Sequence, residues 1–400
     1  MARMTLAPPP LSLYVHLPWC VRKCPYCDFN SHEGRGALPF EPYVDALLAD
    51  LDFDLPLVWG RTVHSVFFGG GTPSLFPAAA IDRFLQGASS RLRFAPGCEI
   101  TLETNPGTAE HGRFEHYRAA GVNRLSFGIQ SFDDGCLQRL GRIHDSAEAD
   151  AAVKLAQDSG FDNINLDLMY ALPGQDLAMA EHDLVRAFAL KPAHVSHYQL
   201  TLEPNTVFAA RPPQGLPDED AGWDMQERCQ ALLRDAGYVQ YEVSAYARPG
   251  RQCAHNLNYW RYGDYLGIGA GAHGKLTLGH EQSILRRWKL KHPARYLAAA
   301  GREEAIGGDD RIEPARRPFE YVLNVLRLVE GFALADFEAR TGLPRSAIEA
   351  PLRRAYASGW LEREGDRVRP TELGRRFTND VMSLFLDPSD TPLPRGIPAH

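Results

Sequence analysis

The sequence has no run of 18 or more apolar residues and no excess of basic residues. The first absence excludes a membrane-spanning helix. The 43 lysines and arginines are outnumbered by 50 aspartates and glutamates, which gives a formal net charge of −7. A protein whose main task is to coat nucleic acid carries a clustered basic excess, so nucleic acid is not expected as a partner. The first ten residues contain three consecutive prolines and no apolar segment, unlike a signal peptide, and we expect a cytoplasmic protein.

Cysteine is scarce, with seven in 400 residues, and an odd number does not suit a disulfide framework. Three of the seven nevertheless lie within eight residues, as Cys20, Cys24 and Cys27. The other four occur singly and are expected to be small buried side chains: Cys98, Cys136, Cys229 and Cys253. The apolar share of 44% is enough for a large core, which excludes a disordered chain or a small cross-linked scaffold.

Short β-rich runs alternate six times with helical patterns in the first half of the chain. We predict strands at Leu11–Leu17, Val63–Phe68, Glu99–Glu103, Arg124–Gly128, Asn163–Met169 and His194–Leu200. This alternation is typical of βαβ units that form a parallel sheet. Six units are fewer than the eight that close a full barrel, so the fold class is α/β, with an incomplete (β/α)6 parallel barrel over residues 11–210.

A second region, residues 211–310, begins at a proline- and glycine-rich seam and is predicted to be an accessory α+β extension. Its helix is expected over Asp220–Ala236, and its strands over Tyr238–Tyr246 and Tyr265–Ile268. The glycine-rich run Gly267–Gly274 lacks a following βαβ unit, so it is expected to be a tightly packed strand rather than a phosphate cradle.

The third region, residues 311–386, has the pattern of a winged-helix-like C-terminal domain. Three helices are predicted before a hairpin that turns at Gly365-Asp366: Phe319–Val329, Leu334–Thr341 and Arg345–Ser358. Residues 311–380 contain 13 arginines against 11 acidic residues, a net charge of only +2, so packing or holding a partner is favoured over DNA binding. Residues 1–10 are expected to form a short N-terminal extension, and residues 387–400 a flexible tail.

The cysteine triplet has the spacing C-x3-C-x2-C and follows the first predicted strand. Structural zinc sites use four protein ligands, usually in two pairs, and no second pair is present. Three thiolates on a tight loop suit a [4Fe–4S] cluster in which one iron has no protein ligand. A buried cysteine-rich loop without a metal is the alternative.

The triplet, with Tyr26 before its third cysteine, resembles the radical S-adenosylmethionine (radical SAM) superfamily. Further segments are similar to the anaerobic coproporphyrinogen III oxidase group, and most similar to its HemW (heme chaperone) branch: LYVHLPWC at 13–20, FFGGGTP at 67–73, LSFGIQS at 125–131 and NLDLMYALP at 165–173. The likeness extends from about residue 9 to residue 386. It implies a parallel barrel with a [4Fe–4S] cluster on the loop after the first strand, whose open iron binds S-adenosylmethionine.

The resemblance also implies the residues that contact S-adenosylmethionine: Tyr14, Gly70, Gly71, Thr72, Glu103, Gln130, Arg142 and Asp167. Most follow or end a predicted strand, at the face where barrel sites assemble. By itself the GGGT sequence also fits a tight turn. Asp167 lies within an apolar strand and is costly to bury without a partner. Arg142 is expected on the helix after the fourth strand, with a surface salt bridge as its alternative role.

The sequence HNLNYW at 255–260 matches the HNxxYW motif that the resemblance links to heme. Imidazole is a common axial ligand and aromatic side chains suit a porphyrin face, so His255 is the candidate heme ligand and Tyr259 the next. A strand-terminal histidine among aromatics also fits core packing. Two departures from the oxidases favour the chaperone branch: Phe29 replaces a further cysteine, and only ten residues precede the first strand.

Three functional hypotheses follow. The first is a heme chaperone with a radical SAM core, which binds heme and transfers it to acceptor proteins, with membrane respiratory enzymes among the candidates. The second is an oxygen-independent coproporphyrinogen III oxidase, in which a 5′-deoxyadenosyl radical takes a hydrogen from a propionate. The third is a DNA-binding iron–sulfur sensor. Peripheral membrane association and a homodimer stay open.

Overall fold

The computed structural model describes residues 5–108 and 113–386. Residues 1–4 and the predicted tail, 387–400, lie outside the described residues. The strands are β1 Leu11–Leu17, β2 Trp19–Cys20, β3 His32–Glu33, β4 Thr62–Gly70, β5 Arg93–Thr104, β6 Arg124–Gln130, β7 Ile164–Tyr170, β8 His194–Gln199, β9 Val239–Gln240, β10 Ala245–Ala247, β11 Asp264–Ile268, β12 His273–Leu278, β13 Ser283–Lys289, β14 Ile306–Arg311, β15 Phe332–Ala333, β16 Leu361–Glu364 and β17 Arg367–Pro370. The helices are α1 Phe40–Asp54, α2 Ala78–Ser89, α3 Arg113–Ala119, α4 Asp134–Arg139, α5 Ser146–Asp158, α6 Leu177–Ala189, α7 Val207–Ala210, α8 Glu219–Asp235, α9 Ala254–Trp260, α10 Pro293–Ala299, α11 Arg317–Val325, α12 Leu334–Thr341, α13 Glu349–Ala357, α14 Glu372–Arg376 and α15 Thr378–Ser383.

One twelve-stranded sheet, in the order β14-β13-β12-β11-β1-β4-β5-β6-β7-β8-β10-β9, organises the molecule. The six predicted strands are present as β1 and β4–β8, and they pair in parallel in chain order. The sheet does not close on itself, which confirms the prediction of an incomplete α/β barrel. A seventh parallel strand, β11, pairs with β1.

Alternate residues of the barrel strands face opposite sides of the sheet, as the period of two requires. On β1, Leu11, Leu13 and Val15 are buried in the main apolar core, which includes residues from the surrounding helices. The intervening Ser12 and Tyr14 face the concave side of the barrel, where they contact the same face of β4. The concave face is therefore polar, and below we call its C-terminal strand ends the mouth and its N-terminal ends the floor.

Buried ion pairs fasten the extension to the barrel. Lys289 on β13 donates to Asp50 and Asp54 of α1, at 2.5 and 2.7 Å. Asp264 on β11 accepts from Lys275 at 3.0 Å and also pairs with Arg61. Removing one partner of such a pair leaves an uncompensated buried charge, at a cost of about 3–5 kcal/mol. These pairs hold β11–β14 in place beside the barrel.

Two sequence expectations for the extension are wrong in detail. The predicted strand Tyr238–Tyr246 is two short strands, β9 and β10, because the chain between them leaves the sheet and Glu242 forms an isolated bridge with Leu328. The predicted strand Gly267–Gly274 is instead the end of β11, a turn and the start of β12. Gly269 and Gly271 lie in that turn with φ of +104° and +81°, which suits glycine.

The C-terminal region contains the predicted order of three helices and a hairpin, as α11, α12, α13 and the β16–β17 pair. The first helix ends at Val325, four residues earlier than predicted. A separate apolar core forms around these helices and includes residues of the extension, such as Tyr262 and Ile284. Within the described ranges, no helix combines the length and apolar character that crossing a bilayer requires.

Candidate functional site

The three clustered cysteines lie on the loop that follows β1, at the mouth of the barrel. Cys20 ends the short strand β2, which pairs in parallel with β3 and closes the base of the loop. The Cys27 N–H donates to the Cys24 carbonyl at 3.1 Å, which tightens the segment between them. All three thiols are partly exposed, whereas the four scattered cysteines are buried, as expected.

The surroundings of the thiols suit an iron–sulfur cluster. The Arg142 guanidinium donates to Cys24 Sγ at 3.6 Å, and Ser31 Oγ lies 3.8 Å from Cys27 Sγ. Burial raises the pKa of the Cys20 and Cys27 thiols, and hydrogen bonds to both sulfurs partly oppose this shift. Soft thiolate ligands next to hydrogen-bond donors are the donor set of Fe–S clusters. Over the described residues, no three His, Cys, Asp or Glu side chains are arranged to hold a single metal ion.

The glycine-rich turn after β4 packs directly against the cluster loop. Gly70 has φ +113°, and a Cβ there would lie 2.6 Å from the His16 ring. A Cβ on Gly71 would lie 2.5 Å from the Trp19 carbonyl oxygen. The Thr72 N–H donates to that same carbonyl at 2.8 Å. Close packing therefore requires glycines here, and the turn ties the end of β4 to the residue before Cys20.

Arg142 is predicted on the helix after the fourth strand, but it lies in the loop between α4 and α5. A capping box of Asp145 and Glu148 starts α5 after it, so the chain there is not helical. Arg142 does not form the surface salt bridge that was its alternative role. Its guanidinium donates to Asn105 Oδ1 at 3.0 Å, to the Gly128 carbonyl at 2.6 Å and to Cys24 Sγ. The loop thus brings a guanidinium from beyond β6 to the cluster loop.

Two carboxylates face the concave side between the mouth and the floor. Asp167 on β7 accepts from Ser126 Oγ at 3.0 Å and Asn165 Nδ2 at 2.8 Å, which are the partners that its burial requires. Burial still raises its pKa. Burial, followed by the charge of Asp167, raises the pKa of Glu103 to about 8, although the Gly70 N–H opposes the shift. The two acids are electrostatically coupled.

Gln130 ends β6 in a left-handed conformation, with φ +70°. Such strain in a residue other than glycine persists only where the surroundings fix it. Here Tyr198 donates its hydroxyl to Gln130 Oε1 at 3.1 Å. The next turn is held by buried Asp183, which accepts from Ser131 Oγ at 2.8 Å and from the Phe132 N–H at 2.6 Å. Sequence reasoning missed Asp183, because its helix, α6, lies 50 residues farther along the chain.

The sequence predicts that the histidine of the HNxxYW motif ends a strand, and this is wrong, because His255 lies in the first turn of helix α9. Glu99 on β5 accepts from the N–H groups of Ala254 and His255, at 3.0 and 3.1 Å, and so satisfies the first turn of the helix. His255 Nδ1 lies 3.1 Å from Ser65 Oγ. Its ring is 4.9 Å from that of Phe67 and 6.3 Å from that of Tyr14. Helix α9 therefore covers the floor of the barrel.

The other residues of the motif contact both the barrel floor and the C-terminal region. Asn258 donates to Ser12 Oγ on the floor, at 2.9 Å. Tyr259 packs against Trp260 and Tyr265, with ring centroids 4.9 and 5.3 Å away. The guanidinium of Arg327, just after α11, lies 5.3 Å from the Trp260 ring. The motif thus joins the barrel floor to the C-terminal region.

The structure brings the predicted residues together in two groups. The cysteines and the predicted cofactor contacts lie at the mouth or on the concave face just below it, whereas His255 lies at the floor. Tyr14 links the two levels, because its hydroxyl lies 3.0 Å from His16 Nδ1 while its ring approaches His255. Sequence reasoning missed His16, Glu99 and Arg124, although alternating polar residues on the strands signalled a polar concave face.

Comparison with protein-family models matches residues 14–186 to the Radical SAM superfamily and residues 312–377 to the HemN C-terminal domain. Two curated relatives, each named heme chaperone HemW, are 50% identical to this chain. The one from Escherichia coli (strain K12) aligns over 378 residues and the one from Haemophilus influenzae over 382, in both cases 94% of this chain and 98% of the relative. A solved structure of coproporphyrinogen III oxidase (HemN) from Escherichia coli, described as a radical SAM enzyme, is similar with a TM-score of 0.80 and 25% identity, over 94% of this chain and 90% of that chain.

Proposed function

Because the chain belongs to the HemW family of the radical SAM superfamily, we propose that it is a heme chaperone that binds heme and passes it to acceptor proteins. The position of His255 on the barrel floor carries this proposal. Its imidazole is next to Ser65 Oγ and lies against the rings of Phe67 and Tyr14. A hydrogen bond of this kind orients an iron-ligating histidine, and aromatic rings suit a porphyrin face.

The mouth would hold the [4Fe–4S] cluster and S-adenosylmethionine that the superfamily implies. Cys20, Cys24 and Cys27 would be the cluster ligands, and their partly exposed thiols on one loop fit that role. The residues that would contact S-adenosylmethionine are Tyr14, Gly70, Gly71, Thr72, Glu103, Gln130, Arg142 and Asp167. When bound and reduced, the cluster would supply the electron that cleaves S-adenosylmethionine to a 5′-deoxyadenosyl radical.

This chain's own residues would prepare that site in three ways. Arg142 would balance thiolate charge at Cys24, because its guanidinium already donates to that sulfur. Glu103 and Asp167 would receive donor groups of the cofactor, since both carboxylates face the concave side. Tyr198 would keep the strained Gln130 in place through its hydroxyl. The contacts of Arg142 with Cys24 and of Tyr198 with Gln130 exist before a ligand arrives, which lowers the ordering cost of binding.

The alternative is an oxygen-independent coproporphyrinogen III oxidase, which the similarity to the HemN structure favours. Phe29 weighs against it, because the oxidases carry a further cysteine at this position. In this chain Phe29 is 38% exposed on the cluster loop. We therefore propose that the protein does not convert coproporphyrinogen III. Its partners would be heme and heme-accepting proteins in the cytoplasm, with membrane respiratory enzymes among the candidates, and a homodimer is also proposed.

The test uses the full chain, reconstituted anaerobically with iron and sulfide. We expect it to bind heme stoichiometrically and to produce no protoporphyrinogen IX from coproporphyrinogen III. His255→Ala should weaken heme binding by about tenfold or more and shift the Soret band, because loss of an axial imidazole changes the field at the iron. The control is His280→Ala, since His280 has 77% of its side chain exposed and lies in the turn between β12 and β13.

Robust turnover of coproporphyrinogen III by the wild-type protein would contradict the chaperone function and support the oxidase. Wild-type heme binding in His255→Ala would move the iron ligand elsewhere, and Tyr259→Phe would then be measured in the same assay.

A further inference from the structure

Arg124, the first residue of β6, is a buried cation that has no hydrogen-bond or ion-pair partner among the described residues. Its side chain is only 2% exposed. It makes no hydrogen bond and no ion pair within 4 Å to any residue in the ranges 5–108 and 113–386, and its Nε is fully enclosed without a partner. Leaving a buried charged donor unsatisfied is costly, so such groups in native proteins call for an explanation.

Other buried basic side chains in the described part of the chain are paired. Lys275 is bound by Asp264, and Lys289 lies between Asp50 and Asp54. Arg317 donates to three backbone carbonyls, those of Ile312, Thr341 and Gln282. Arg124 is the exception among the four. Its solitary state therefore does not reflect a general feature of this fold.

The nearest acids are already occupied. Glu99 accepts from the N–H groups of Ala254 and His255 and from the Cys253 thiol. Asp167 accepts from Ser126 and Asn165. Burial lowers the pKa of Arg124, but the anionic neighbours, including these two acids, outweigh it and keep the guanidinium charged.

The position of Arg124 identifies what could pair with it. It lies on the concave face, two residues before Ser126. Its electrostatic neighbours are Cys253, which immediately precedes helix α9, and Glu99 of β5, which accepts hydrogen bonds from the first N–H groups of that helix. The guanidinium therefore lies beside the same end of the helix that carries His255. A planar guanidinium with free donors binds carboxylates in a bidentate manner.

We propose that Arg124 binds a carboxylate of the ligand on the barrel floor, namely a propionate of the porphyrin whose iron His255 coordinates. This inference rests on the proposed heme-chaperone function. The two residues would fix the porphyrin at two points, the iron and one edge. The carboxylate of S-adenosylmethionine is the other source of the same chemistry, and the experiment separates the two.

The experiment measures binding of hemin and of hemin dimethyl ester, which lacks free propionates, to the full chain. Wild-type protein should bind hemin about tenfold or more tightly than the ester. Arg124→Gln should bind both with the affinity that the wild type shows for the ester, and Arg124→Lys should retain part of the preference. Arg93→Gln, which removes an exposed arginine from β5, is the control and should keep the full preference.

Several outcomes overturn the proposal. One is a wild-type protein that binds hemin and its ester equally, a result that needs no variant to fold. Another is Arg124→Gln that keeps the preference for hemin. Weaker S-adenosylmethionine binding in Arg124→Gln, with the hemin preference intact, would assign the guanidinium to that cofactor instead. A wild-type protein that binds no heme would overturn both the proposed function and the assignment of Arg124 to a propionate. A Soret band unchanged in His255→Ala, with the preference for hemin intact, would move the iron ligand away from His255 and leave the pairing of Arg124 with a propionate standing.

Thermal unfolding distinguishes a ligand-binding role from a structural one. Removing a buried charge that has no partner should leave the unliganded protein at least as stable, because the desolvation cost disappears with the charge. A marked loss of stability in unliganded Arg124→Gln would show that the guanidinium holds the fold together, and would overturn its assignment to the ligand.

Discussion

The mouth and the floor of the barrel satisfy their charges in different ways. At the mouth, Arg142 donates to a side-chain amide, a backbone carbonyl and a cysteine sulfur. At the floor, Arg124 has no such partner within the described residues. The protein thus holds the Arg142 guanidinium at the mouth through its terminal nitrogens, although its Nε has no partner, whereas the Arg124 guanidinium at the floor has no hydrogen-bond partner among the described residues.

This difference fits two kinds of occupant. A resident cofactor stays bound, so its site gains from donors and acceptors that are already in place. A cargo that is released needs a site that is stable when empty and improved when filled. At the floor, the helix start is satisfied by Glu99, while Arg124 is left for an anion. Substitutions at the mouth and at the floor should therefore have separable effects.

The largest effect is expected at the mouth. Cys24→Ala should abolish the broad visible absorbance of the anaerobically reconstituted cluster, because three thiolates must hold three irons. Cys98→Ala, which changes a buried cysteine away from the loop, is the control and should leave the absorbance unchanged. Binding of hemin to the floor should persist in Cys24→Ala. Full cluster absorbance in Cys24→Ala would contradict the ligand assignment.

The sequence predicted the mouth far better than the floor. The cysteine spacing and the strand ends that carry Gly70, Glu103 and Asp167 are local patterns, and all six strands formed as predicted. Even here the sequence pattern predicts Arg142 on a helix, whereas the capping box of Asp145 and Glu148 starts α5 only after it.

The floor depends on contacts between distant segments. Strand β11 pairs with β1, which precedes it by some 250 residues in the chain. Glu99 accepts hydrogen bonds from the first turn of helix α9, which follows it by about 155 residues. No local pattern encodes such pairings. One signal was present, since buried parallel strands are usually apolar on both faces, and here polar residues alternate along β1, β6, β7 and β8. That alternation indicates a polar interior but does not identify the residue that lacks a partner.

A smaller effect is expected when the two carboxylates near the mouth lose their charge while the cysteine ligands of the cluster stay in place. The double variant Glu103→Gln, Asp167→Asn should bind S-adenosylmethionine about ten- to a hundredfold more weakly, because replacing a charge-assisted hydrogen bond by a neutral one loses about 1 kcal/mol at each of the two positions. The amides keep the shape of the carboxylates. Asp162→Asn, an exposed position, is the control. Unchanged affinity in the double variant, measured by equilibrium binding, would exclude the concave face as the cofactor site.

The smallest effect is a pH dependence that belongs to Glu103. Burial raises its pKa to about 8, with the charge of Asp167 as the next cause, while the Gly70 N–H and Arg124 oppose the shift. Buried Tyr14, whose pKa is also raised, faces the same carboxylate. If the ionised form of Glu103 receives the cationic end of S-adenosylmethionine, affinity should rise by up to about tenfold per pH unit as pH increases toward 8, and then level off.

The stability of the unliganded protein should change with pH in the opposite direction to the affinity for S-adenosylmethionine, and this contrast makes the test specific to Glu103. A carboxyl whose pKa is raised on folding contributes stability below its unfolded pKa, and this contribution is lost as pH rises through the folded value of about 8. The melting temperature of the unliganded wild type should therefore fall between pH 5 and 8 more than that of Glu103→Gln. The amino group of S-adenosylmethionine titrates in the same range, but equally for both proteins, so their difference isolates Glu103. Parallel pH profiles of affinity in the two proteins would show that Glu103 does not contact the cofactor. The floor supplies the internal comparison: the preference for hemin over its ester depends on Arg124, which does not titrate and feels the charge of Glu103 only through space, so this preference should vary less with pH than the affinity for S-adenosylmethionine.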